Sequence, residues 1–365
     1  MSKKYDVLIQ PFDYDKDRIY VTLGYNFGFT LQEYQIDNEI YRVNPASILF
    51  LANIKKQFAQ EILGKNIEIS VNPGNTTISF VSNSKKIEKD IKKLNQFLLY
   101  NPNEVFEKNK KEFVEEYLTK ENDFPDIFNL SILEFLGQNK RFSRYNLFNQ
   151  IQEVTSEDVR FVQEILFQGM ESKVFILGNV EEDVIQMFEK EISVPHNPYR
   201  PESIFFPLAP DDIVPKEIVV KERDKRGLLI HSNPSFFEEK NELLYTSGDV
   251  FLTYQILTEH FKKFQPILAI DGADMGMYIP EINKIEQHIF NDEILTKYIE
   301  QIRRQNNYLL EEKPKVYTNL FVILWLSGVN YLEYKKSIIT KSLETIRNSF
   351  SIVLDKSLFC TVNCK

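Results

Sequence analysis

Histidine is scarce in this chain: four residues among 365, at His196, His231, His260 and His288. None lies in the first 195 residues, and no His-x-x-Glu-His, His-Glu-x-x-His or other paired-histidine spacing occurs anywhere. A helix-borne zinc site therefore has no nitrogen ligands to build from. The only cysteines, Cys360 and Cys364, sit four apart near the C-terminus. A frayed tail, a helix face or an adventitious disulfide explains them more simply than a metal site. No Gly-x-x-x-x-Gly-Lys-Ser/Thr, dinucleotide-type glycine fingerprint or Gly-x-Ser-x-Gly is present, which leaves nucleotide-binding and serine-hydrolase classes without a foothold. Positive charge is also short. The net charge of -9 argues against a nucleic-acid partner, and Lys108, Lys110 and Lys111 sit among Glu107, Glu112, Glu115 and Glu116, as on a solvated helix face. The longest apolar run, Leu320 to Leu326, is far below the roughly 18 to 20 residues a membrane span needs and reads as a buried strand or helix core. The N-terminus, MSKKYDVLIQPFDYDKD, lacks the apolar core of a signal peptide, so a cytoplasmic protein without a membrane partner is expected.

What is there is a long, ordinary globular composition, 43% apolar and 27% charged, enough for one large core or two ordinary ones. The strongest punctuation is Pro195 to Pro210, whose five prolines fix an extended, helix-incompatible connection. This places one domain at 1–195, a linker at 196–210 and a second domain at 211–365. In the first, Asp6 to Gln10 and Ile19 to Gly24 read as strands and Pro45 to Leu63 as a helix. Asn66 to Ser82 alternates around an Asn-Pro-Gly-Asn turn as a hairpin, and Lys85 to Leu99 and Asn103 to Thr119 read as charged amphipathic helices. Thr155 or Ser156 caps a further helix carrying Val159, Phe161, Val162, Ile165 and Leu166, and a strand from Lys173 to Leu177 closes at Gly178. Past the linker the order of elements recurs: strands at Glu217 to Val220 and Gly227 to Ile230, helices through Glu239 to Phe264, a strand pair around Pro266 to Ile279 and a helix from Asn291 to Asn306. Sheets with helices packed on one face, twice over, make an α+β fold.

The stretch Tyr145 to Val180 resembles the pitrilysin/insulinase family of zinc peptidases, whose half-domains close with such a helix followed by a strand ending in Gly. The resemblance runs over roughly residues 15–195, and over 205–365 in element order. It implies two consecutive pitrilysin-like domains facing each other across a cleft. Peptide-cutting members carry His-x-x-Glu-His on the first helix after two strands and a third ligand, a Glu, on a later helix. Set against that pattern, Ala46 to Ile54 places Ser47 and Leu51 where the histidines belong and Phe50 where the catalytic base belongs, while Glu116 falls at the third-ligand position. Catalytic residues and a metal are thus expected to be absent.

The family's second constellation is an arginine and a tyrosine that grip the substrate carbonyl. It would fall in Glu259 to Ile270, which contains neither and leaves Tyr254 or Tyr278 as alternatives. His260 beside Glu259 and His288 beside Glu286 have no nucleophile at a diagnostic spacing, and Asp271 to Asp274 reads as a turn between strands rather than a cation loop. Active relatives bind extended peptide along a sheet edge, resembled here by Glu68, Ser70, Asn72, Gly74, Asn75 and Thr76. Together these imply a non-catalytic subunit that needs no cofactor of its own and pairs as a heterodimer with a zinc-bearing homologue. Such pairs process peptides, as in leader removal during bacteriocin or lanthipeptide biosynthesis. The alternative is a stand-alone peptide-binding or immunity module.

Overall fold

A computed structural model of the chain describes residues 5–29, 33–61, 64, 67–72, 74–102, 106–119, 150–192, 199, 201–204, 217–220, 226–232, 247–271, 274–329 and 331–364. They fall into two units, one drawn from Met1–Phe124, Arg141–Phe205 and Glu311–Leu326, the other from Phe206–Leu310 and Ser327–Lys365.

The first unit is organised on β1 (Tyr5–Gln10), β2 (Arg18–Tyr25), a hairpin of β3 (Glu33–Ile36) and β4 (Glu39–Arg42), α1 (Ala46–Glu61), β5 (Glu68–Val71), β6 (Thr76–Asn83), α2 (Ile87–Leu99) and α3 (Phe106–Thr119). After these come α4 (Ser156–Phe161), a π-helical turn over Val162–Leu166, β7 (Ser172–Leu177) and α5 (Glu182–Glu191). Its main sheet has the order β1-β7-β2-β6-β5, with β1 and β7 parallel and the other neighbours antiparallel. Thr155 caps α4 in a full capping box, its hydroxyl accepting from the Asp158 N–H while the Asp158 carboxylate accepts from the Thr155 N–H.

The Pro-rich segment is more than a connection. β8 (Glu202–Ser203) pairs with β3 to complete a three-stranded sheet ordered β4-β3-β8, so the first unit extends past the expected limit at residue 195. Backbone that proline holds extended is already in a strand conformation and lends itself to pairing. The hairpin it joins was not expected from sequence. Its turn puts Asp37 and Asn38 at φ 49° and 70°, the double left-handed geometry that short polar residues accept in a two-residue hairpin.

A second correction concerns the other end of the chain. The helix α8 (Pro314–Leu326), expected within the second domain, packs on the first unit's sheet against β2, β6 and β7. Its last two turns, Leu320 to Leu326, are wholly apolar, and Phe321, Val322 and Leu324 among them are buried. Alternation on β2 shows how the sheet is buried on both faces. On one side the Thr22 hydroxyl lies 3.0 Å from both the Thr318 hydroxyl and the Asn319 side-chain oxygen, sharing its one proton between them. On the other, Tyr25 meets Phe167 edge-on at 5.5 Å. From β7, Phe175 stacks on Phe321 at 3.9 Å, and the Lys173 amine lies 4.6 Å above Trp325. Gly24 is the point of closest approach, because a Cβ there would overlap Val322 and sit 2.7 Å from Leu326. Gly24→Val is expected to destabilise the protein by about 1–3 kcal/mol through overpacking, with Gly24→Ala milder. Urea midpoints of the two variants check this.

The second unit repeats the plan. Its strands β9 (Glu217–Val220), β10 (Gly227–Ser232), β11 (Ile267–Asp271), β12 (Asp274–Pro280) and β13 (Leu358–Cys364) form a sheet ordered β11-β12-β10-β13-β9. Here β9 and β13 are parallel and the rest antiparallel, so every position and orientation of the first sheet recurs in the same chain order. Helices α6 (Ser247–His260), α7 (Asp292–Glu312), α9 (Tyr331–Thr340) and α10 (Leu343–Lys356) complete it. Contacts such as Phe251 on Tyr334 at 5.2 Å and Phe290 on Phe350 at 4.7 Å belong to its core. The C-terminus is no frayed tail: β13 lies inside this sheet, with Cys360 buried. Four strand residues span about 13 Å, well beyond the Cα separation of a disulfide, which rules out a bridge to Cys364.

Candidate functional site

The helix that would carry a zinc motif in the resembled family is α1. Asn44 starts it, its side-chain oxygen accepting the Ala46 N–H at 3.0 Å, and Pro45 supplies a preset φ at the first turn. All three positions singled out from sequence face inward. Ser47 is fully buried and donates its hydroxyl to the Asn44 carbonyl at 2.5 Å; Leu51 is fully buried; Phe50 is 1% exposed. Phe50 meets two phenylalanines of α3 edge-on, Phe106 at 5.3 Å and Phe113 at 5.2 Å. Quadrupole-matched packing of this kind stabilises beyond the area it buries.

Thus α1 and α3 are joined by a three-ring apolar cluster. Ser47 alone of the three carries a heteroatom, and its hydroxyl is already bonded to backbone, so this set does not fit a zinc ion. Glu116 lies further along α3, and its side chain is outside the described residues. Among the described residues no group of three or more His, Cys, Asp or Glu is placed to hold a metal.

One turn beyond Leu51, α1 presents a residue that sequence reasoning passed over. Lys55 is fully buried, and its ammonium donates to the carbonyls of Phe97, Leu98 and Tyr100 at 2.7, 3.1 and 3.3 Å. These carbonyls end α2, where backbone acceptors otherwise lack partners and the helix dipole favours a cation. The amine also lies 5.2 Å from the ring centres of Phe97 and Phe167. Gln163, fully buried on the π-helical turn, donates to the same Leu98 carbonyl at 2.7 Å. Burial pushes the Lys55 pKa well below the ordinary lysine value.

The edge strand is β5, last in its sheet and paired only with β6 among the described residues. Glu68 is half-buried and forms an ion pair with Lys315 of α8, while Ser70 is exposed. The turn is tied by Asn72 and Asn75: backbone N–H to carbonyl at 2.8 Å and side-chain amide to side-chain oxygen at 2.8 Å. The Asn72 carbonyl accepts from Phe29, and the Thr76 hydroxyl donates to the Phe27 carbonyl at 2.8 Å. Gly74, Asn75 and Thr76 are buried, so within the sequence-derived set Ser70 is the residue presented to solvent.

In the second unit, Tyr254 and Tyr278 are both fully buried. The Tyr254 hydroxyl lies 2.9 Å from the Ser232 hydroxyl and 3.0 Å from the Met275 carbonyl, sharing its one proton between them, which ties α6 to the sheet. Asp271 and Asp274 are opposed at the mouth of the β11–β12 hairpin. His231 is buried in β10, His260 meets the Tyr298 hydroxyl at 3.0 Å, His288 lies 3.7 Å from Glu286, and His196 is outside the described residues. No described helix is long and apolar enough to cross a membrane.

No protein-family model matches the chain, and no curated protein matches it. Solved structures do. An M16-like peptidase from Alicyclobacillus acidocaldarius superposes with a TM-score of 0.69 at 12% identity, over 100% of this chain and 97% of that one. A protease from Helicobacter pylori gives 0.63 at 13%, over 100% and 98%. The periplasmic protease PqqL of Escherichia coli gives 0.62 at 10%, over 100% of this chain and 47% of its own. Along its whole length, then, the chain has the α+β fold of the M16-like, pitrilysin-type peptidases.

Proposed function

We propose that the chain is a catalytically silent, pitrilysin-like subunit that pairs with a zinc-bearing homologue to form a peptidase. The observation that supports this reading is the buried Phe50–Phe106–Phe113 cluster, whose Phe50 holds the position that the sequence resemblance assigns to the catalytic base. The partner supplies zinc and base; this chain closes the chamber, holds the peptide and limits its size. The β5 edge can take an extended peptide through main-chain hydrogen bonds, which demand little of its sequence. Leader removal from a ribosomally made, modified peptide of the bacteriocin or lanthipeptide type is the process we assign to the pair, in the cytoplasm.

The expected result is that the purified chain carries no stoichiometric zinc and cleaves no peptide, while co-expression with a His-x-x-Glu-His homologue yields a heterodimer that does. Tightly held zinc, or cleavage by the chain alone, overturns the reading. The same edge strand, being independent of any metal, also supports a stand-alone peptide-binding or immunity module. Peptide binding at full affinity without any zinc-bearing partner in a pull-down selects that alternative.

A further inference from the structure

In the first unit, β6 continues past Ser79, the partner of Glu68, through Asn83 and turns directly into α2. Four further strand residues place that turn about 13 Å beyond the Glu68 end of the β5 edge. At the turn and along the outer face of α2 stand Lys85, Lys86, Lys89 and Lys92, all exposed. Lys86, Lys89 and Lys92 recur every three residues along one stripe of the helix and Lys85 precedes them in the turn, with Glu88 the exposed acid beside them. No described carboxylate lies within ion-pair distance of these four ammonium groups. Asp90, the other acid of the helix, is buried and accepts from Ser82 at 2.5 Å.

Apart from Lys92, four residues after Glu88, the stripe does not serve the helix that carries it. Like charges at such spacings are unfavourable, and lysines in a first turn oppose the helix dipole. It stands out against a chain whose net charge is -9. That overall charge disfavours an anionic lipid surface as the occupant, and the stripe exposes no apolar side chain to insert into one.

We infer that the stripe receives an acidic segment of the same peptide that pairs with β5, so that the substrate class is a peptide with a run of Asp or Glu about four residues beyond its edge-paired core. This rests on the peptide-holding reading above. The probe is a labelled peptide with a Thr-Val core, flanked by Ser on both sides, or by a spacer and four Glu on one side or the other. The acidic block on one flank only is expected to tighten binding to the full chain about tenfold at low salt, as several exposed ion pairs together would. The gain fades at high salt and vanishes in K85Q/K86Q/K89Q/K92Q, whose thermal unfolding is unchanged or improved.

Equal gain from either flank, or none, while the neutral peptide still binds, overturns the inference and leaves the peptide-holding reading intact. Failure of every peptide to bind overturns both. Lysine-dependent binding to phosphatidylcholine–phosphatidylglycerol vesicles, with no flank effect on peptide, overturns it in favour of a membrane surface.

Discussion

Lys55→Met is expected to cost about 3–5 kcal/mol of stability, among the largest single-residue effects in the chain. The substitution preserves the length and apolar stem of the side chain but removes the Lys55 donor from the buried carbonyls of Phe97 and Leu98 and from the half-buried carbonyl of Tyr100. Each buried acceptor left without a partner costs about 1–3 kcal/mol. Removal of the desolvated ammonium offsets part of that loss. Gln163 still reaches Leu98, so the damage falls mainly on the buried Phe97 carbonyl at the end of α2.

The pH dependence is a second signature. The folded-state pKa of Lys55 is depressed by burial, so between that pKa and the unfolded value of about 10.4 the unfolded chain binds the extra proton. Stability therefore rises with pH through this window. Below the depressed folded pKa the charging penalty is present in full and constant. Lys55→Met removes the rise, and denaturant midpoints of wild type and variant across the alkaline range measure both effects. Retention of the rise in the variant assigns it to another group.

The contrast between what could and could not be read from sequence follows from the range of the interactions involved. Elements with strong periodicity and local stop signals were legible: α1, α2, the β5–β6 hairpin around its Asn-Pro-Gly-Asn turn, and the capped α4 leading to β7. So was the recurrence of element order, which the two sheets realise strand for strand. The position of α8 was not, because apolarity says that a helix is buried without saying against which sheet. β8 was read as linker since two residues flanked by proline carry no strand signal of their own, and β13 was hidden by polar residues at the chain end.

At the site, the absence of histidines and the identities of Ser47, Phe50 and Leu51 could be read directly. That Phe50 meets Phe106 and Phe113 could not, since those rings lie more than fifty positions away. Lys55 gave no signal at all. A lysine on a helix is ordinarily solvated, and only tertiary structure aims it at the end of α2.

Phe50 itself bears the other large expectation. Phe50→Ala removes one ring from a three-ring cluster and should cost about 3–5 kcal/mol, the range for truncating a buried aromatic side chain. Phe50→Glu should cost more. It places a carboxylate between two phenylalanine rings, with Ser47 bonded to Asn44 and Leu51 bearing no polar atom. The consequence bears on the proposed role. Installing His-x-x-Glu-His on α1 as Ser47→His, Phe50→Glu and Leu51→His is expected to give an unfolded or aggregated protein rather than a zinc enzyme, because the surrounding residues are a core. Phe106 and Phe113 would both have to yield before two imidazoles and a carboxylate could share a metal. Circular dichroism and zinc titration of the triple variant test this. A folded triple variant with one tightly bound zinc would show instead that the cluster is only a plug over an intact site, and the silent-subunit reading would then fall.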